Sequence, residues 1–157
     1  MPGGFRLAIG GFSDLRRLIY RLDNVSDMEM QELLEGLGSE VESQTRLRIQ
    51  EEKKTPSGVD WKDWTPEYAA QRHGNRQSHS PHPGQLRQAD SHSILQLDGG
   101  LLDSIQYELD GTDAVLVGSN LIYAGVQNEE RQYLGLSDQN MEDLRELVRD
   151  FVQGLIG

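Results

Sequence analysis

The chain has 157 residues, a formal net charge of −11 and no cysteine. That length suits one domain with a modest core, and the missing thiols exclude disulfides and thiolate metal sites. The charge is uneven: residues 97–157 hold 3 basic and 12 acidic groups, so autonomous binding to a nucleic-acid backbone, which depends on Lys and Arg displacing counterions, is disfavoured.

No apolar run approaches the ~18 residues of a membrane-spanning helix. The opening MPGGFRLAIGG has neither a basic region nor a long apolar core, so no signal peptide is expected. Phe5–Ile9 alternates weakly and predicts an edge strand, ended by Gly10-Gly11. A helix capped by Ser13 or Gly11 is expected through Leu22, with Leu15, Leu18, Ile19 and Leu22 at helical spacing. Ser26 or Asp27 caps a second, longer helix to about Lys53. Its apolar stripe is Met30, Leu33, Leu34, Leu37 and Val41, extended to Leu47. Gly36 and Gly38 interrupt it, each at a cost of ~1 kcal/mol relative to Ala. They mark a close backbone approach, a bend or a local weakness.

From about Lys54 to Gln96 apolar periodicity is lost and the composition predicts a long polar loop, its core between Arg72 and His92. All four histidines fall there: His73, His79, His82 and His92. Their spacing fits no metal-ligand pattern, so the expectation is a solvated loop and no metal. Inside the stretch lies PSGVDWKDWTPEYA, with the two tryptophans, Trp61 and Trp64. Large aromatics in polar surroundings anchor either a local core or an interface. Pro66 suits the first position of a short helix.

A hairpin follows. Ile105, Tyr107 and Leu109 alternate with Gln106 and Glu108, Ala114–Val117 is a second short run, and Asp110-Gly111-Thr112-Asp113 supplies the turn. Ile94-Leu95-Gln96 with Gly99 to Ile105 reads as a turn or a short helical turn feeding the first strand. Leu121–Val126 is a third strand or a helical turn. The last helix is the clearest. Ser137, Asp138 or Asn140 caps it, and Met141, Leu144, Leu147, Val148, Phe151, Val152 and Leu155 line one face, which is expected to pack on the hairpin sheet. The fold class is therefore α+β: a small, mainly antiparallel β-sheet packed by a long N-terminal helix and a C-terminal helix, in a single domain spanning 1–157.

Val117-Gly118-Ser119, Tyr123-Ala124 and the run Arg131 to Asp138 (RQYLGLSD) occur in that order. Upstream stand Pro56-x-Gly58-x-x-Trp61, then Thr65-Pro66, and Ile94-Leu95 with Gly99 to Ser104. Together these pieces resemble the phage virion-morphogenesis family, the tail-completion proteins of Mu- and P2-type contractile-tailed bacteriophages. The resemblance runs from about Pro56 to Phe151. Relatives often carry leucine where Trp64 stands, and a His-Gln-aromatic-Gly-Gly sequence where this chain has Val126 to Glu130.

The resemblance implies a non-enzymatic structural protein without cofactor, in the virion tail or neck after assembly in the host cytoplasm. It implies self-association as a ring, a hexamer by the six-fold symmetry of contractile tails, with tail tube and neck or connector proteins as partners. DNA would pass an acidic channel wall without sequence-specific binding. Trp61, Trp64, Tyr123, Arg131, Tyr133 and Leu134 are the candidate partner-binding residues. For Arg131, Tyr133 and Leu134 the resemblance also implies a structural role, pinning the loop to the core before the last helix. The alternatives are a monomeric acidic adaptor or assembly chaperone not retained in the virion, and, more remotely, a hydrolase using the histidines. No nucleophile elbow, phosphate-binding glycine loop, dinucleotide fingerprint or HExxH motif is present.

Overall fold

A computed structural model of the chain describes residues 3–12, 26–62 and 100–156. The expected helix from Ser13 to Leu22, Trp64, the four histidines and the helix proposed at Pro66 lie outside the described residues.

The described elements are β1 (Gly3–Ala8), α1 (Asp27–Leu47), α2 (Gly100–Ser104), β2 (Gln106–Asp110), β3 (Ala114–Ser119), α3 (Ala124–Glu130) and α4 (Asp138–Ile156). The three strands form one antiparallel sheet in the order β1-β3-β2. The α+β architecture read from the sequence is the observed one. The β2–β3 ribbon turns at Gly111, whose φ of +68° is a conformation glycine adopts at little cost. β3 lies between two partners, which explains its nearly continuous burial, whereas β2 is exposed along much of its length. β1 is an edge strand, as its weak alternation suggests.

Cross-strand register places Phe5, Val117 and Tyr107 in one row and Leu7, Val115 and Leu109 in the next. Side chains alternate across a sheet, so these rows share the apolar face. Helix α1 covers that face. It begins with a reciprocal cap: Glu29 N–H donates to Ser26 Oγ and Ser26 N–H donates to the Glu29 carboxylate, both at 3.1 Å. Its approach to the sheet is set at Gly38. A Cβ there would lie 2.6 Å from the Tyr107 ring and 2.9 Å from Val115 Cγ2, so this glycine marks a close contact between layers. Gly36 faces Leu147 of α4 at 3.7 Å and has room for a methyl group.

Leu33, Leu34, Leu37 and Val41 are buried as the stripe predicts. Leu47 is not: it is 50% exposed, while Arg48 is 1% exposed. The phase of the stripe explains this, since Val41 plus seven residues returns to position 48 and not to 47.

Helix α4 starts with Ser137 accepting from Asn140 N–H at 3.0 Å, with Asn140 Oδ1 accepting Ser137 N–H in return. Leu144, Val148 and Val152 are enclosed, Leu147 is partly buried, and Leu155 is exposed beyond the end of the packed face. Helix α4 reaches the hairpin's apolar side chains through the core it shares with α1. Its principal helical partner is α1, which lies on the sheet, and α4 joins the same apolar cluster as Val115 and Val117.

Candidate functional site

Two of the segments that carry the resemblance meet at one place, the joint between the end of α1, residues 53–62 and residues 131–137. The joint begins where α1 widens into a π turn over Arg48–Glu52, closed by Lys53 N–H donating to the Arg48 carbonyl at 3.0 Å. The wide turn places consecutive residues Arg48 and Ile49 both inside. Lys53 then takes φ +54°, which reverses the chain.

A tight loop follows. Lys54 and Asp60 form an isolated antiparallel bridge, and Thr55 N–H donates to the Val59 carbonyl at 2.7 Å. Trp61 is buried, and its Nε1–H donates to the Gln132 carbonyl at 2.7 Å. Arg131 Nε returns the connection, donating to the Lys62 carbonyl at 2.9 Å. Pro56 lies beneath Gly135, where φ is +127° and a Cβ would sit 3.0 Å from the proline ring. Lys53 Nζ stands 5.9 Å from the centre of the Trp61 ring.

Arg48 holds the far side. Its guanidinium donates to the Tyr133 carbonyl at 2.8 Å, to the Gly135 carbonyl at 3.2 Å and to Asn140 Oδ1. Burial pushes its pKa down and the Glu52 carboxylate opposes this. Three acceptor oxygens replace the water that the cation loses. Asn128 Oδ1 accepts both Tyr133 N–H and Leu134 N–H at 3.0 Å, and Tyr133 O–H donates to the Ala124 carbonyl at 2.7 Å. Burial pushes the Tyr133 phenol up to about 12, with a smaller contribution from Tyr123.

Of the candidate partner-binding residues, Trp61, Arg131, Tyr133 and Leu134 are therefore brought together. Trp61, Tyr133 and Leu134 are interior, within a cluster that includes Ile49, Leu101, Ile105 and Ala124. Trp61 thus takes the core role of the two that the sequence left open. Arg131 is largely covered and engaged with backbone. Tyr123 stands apart at the surface, 43% exposed, on the turn before α3. Its neighbour Ile122 is 92% exposed and Val126 is 59% exposed. Leu121–Val126, left open between strand and helical turn, is a turn that enters α3.

Sequence reasoning missed Arg48 and Asn128, and read Asn140 only as a helix cap, not as an acceptor for Arg48. For Arg48 a signal existed: a charge on the apolar phase of a helix. Asn128 acts on the Tyr133 and Leu134 amides, whose positions no local pattern announces.

Among the described residues no group of His, Asp and Glu is arranged to hold a metal ion. No helix among them is long and apolar enough to cross a membrane. The polar groups of the joint point at carbonyls and amides of the same chain, so the site builds a shape.

This architecture defines a small α+β domain in which the motif residues hold together a sheet, a helix end and a loop. The chain matches the model of the phage virion morphogenesis family over residues 12–153 and belongs to that family. No curated protein and no solved structure matches it.

Proposed function

We propose that this chain is a structural protein of the tail-completion class of contractile-tailed phages, acting as a ring at the head-proximal end of the tail where head and tail join. The single observation that carries this reading is the joint. Two separated segments typical of the family, PSGVDW and RQYLGLSD, lock onto each other through Trp61–Gln132, Arg131–Lys62 and Pro56–Gly135. Their side chains are spent on positioning backbone, as a protein needs when its product is an assembled surface.

A ring of identical copies requires head-to-tail contacts that close. Six copies suit a six-fold tail. The acidic surface of α1 and α4 suits a wall that DNA passes without adhering, because DNA carries one negative charge per ~1.7 Å. Quantitative mass spectrometry of purified particles tests the reading. A ring component is present at a fixed, small copy number per virion. A protein absent from mature particles but bound to assembly intermediates is the released acidic adaptor instead.

A further inference from the structure

All three lysines of the protein, Lys53, Lys54 and Lys62, lie in one loop. The loop is rigid. Thr55 Oγ1 accepts Val59 N–H, Gly58 N–H donates to the Thr55 carbonyl, and Trp61 N–H donates to the Lys53 carbonyl. Lys54 and Lys62 are exposed, and between them Val59 is 63% exposed. The loop thus presents an apolar tip between two cations, with the exposed Asp60 carboxylate 3.8 Å from Lys54 Nζ beside it.

The turn into α3 and its outer face present the opposite pattern. Ile122 and Val126 are exposed apolar side chains, and Glu129 and Glu130 are exposed acids on the same short helix. Single exposed apolar residues are ordinary surface. Here Ile122, Tyr123 and Val126 fall within five residues, on a shelf fixed from below by Ala124 and Asn128.

We propose that the Lys54–Lys62 loop of one copy seats on the Ile122–Val126 shelf of a second copy, with Lys54 and Lys62 meeting Glu129 and Glu130. The occupant is argued from charge. A chain of net charge −11 repels its own kind, so a contact that sets cations against acids is favoured over one that sets acid against acid. This loop is the one place where the chain gathers its lysines. Pairing two shelves would set acid against acid around an apolar contact, whereas loop on shelf pairs opposite charges. The inference rests on the ring reading and names the surfaces through which neighbouring copies meet.

The test uses the full chain. Its oligomeric state is measured first by light scattering. Equal amounts of 15N-labelled and unlabelled protein are then joined with a carbodiimide, which links amines to carboxylates, and linked peptides are identified by mass. Mixed-isotope links from Lys54 or Lys62 to Glu129 or Glu130 are expected. Two variants sharpen this: K54E/K62E and E129K/E130K. Each alone loses tenfold or more in association and melts like the parent. An equimolar mixture of the two regains it, because each variant's loop then meets a complementary shelf. An assembly whose mixed-isotope links map elsewhere, or variants that assemble normally, would overturn this inference and leave the ring reading standing. A chain monomeric at every concentration, and also with tail tube present, removes both.

Discussion

Among the described residues there are two interiors, held together in different ways. The first lies between the sheet, α1 and α4, and is built from periodic aliphatic residues such as Leu33, Leu37, Val115, Leu144 and Val148. Its stabilisation is non-directional and scales with apolar area removed from water. The second lies under residues 53–62 and 131–135. It contains Trp61, Tyr133 and Ile49, but its geometry is fixed by directional bonds from Arg48, Trp61, Arg131 and Asn128 to backbone groups. The first interior holds a fold. The second holds loops in one shape, as the proposed contacts between copies require.

The comparison is broken most severely from the first interior. Val148→Asp places a charge in a fully enclosed apolar site, and no cooperative thermal transition is expected. A soluble variant with a parental melting curve would show that α4 is not part of that core. Leu147, partly buried beside Gly36, is a milder position.

Arg48→Leu breaks the second interior. It leaves the Tyr133 and Gly135 carbonyls without their donor, and each unsatisfied buried group costs about 1–3 kcal/mol. Urea titration is expected to show a loss of about 2–5 kcal/mol with the cooperative transition retained.

The glycines of α1 separate contact from propensity. Gly38→Ala drives a methyl group into Tyr107 and Val115 and is expected to destabilise by about 1–3 kcal/mol. Gly36→Ala has room beside Leu147 and is expected to stabilise by up to ~1 kcal/mol through helix propensity. Thermal melts of the two variants should move in opposite directions.

Tyr133→Phe is the smallest change. The folded chain keeps the phenol neutral up to about 12, whereas an unfolded tyrosine ionises near ~10. Between those values the unfolded chain loses a proton that the folded chain retains, so stability falls as pH rises. The phenylalanine variant loses about 1 kcal/mol at neutral pH with the bond to the Ala124 carbonyl. Over the alkaline window its stability declines less steeply, which chemical denaturation at a series of pH values would measure.

The same division explains what could be read from residues alone. The hairpin at Gly111, the cap at Ser26 and the stripes of α1 and α4 follow from periods of 2 and 3.6, so local patterning sufficed. The end of α1 did not yield to it, because the helical phase turns Leu47 to water and Arg48 inward, and the π turn adds Ile49 to the interior. The joint was legible only as motif pieces in order. That Trp61 reaches across to the Gln132 carbonyl, 71 residues away, is set by tertiary packing. Arg48, the residue that closes the joint, was marked only by its place on the apolar phase of α1.

The most direct measurement is cryo-imaging of the intact phage particle, with the map traced through the neck. The account predicts this α+β fold in a closed ring at the head-proximal end of the tail, with neighbouring copies in contact around the channel. Density for the fold elsewhere in the particle, or none at the junction of head and tail, would contradict it.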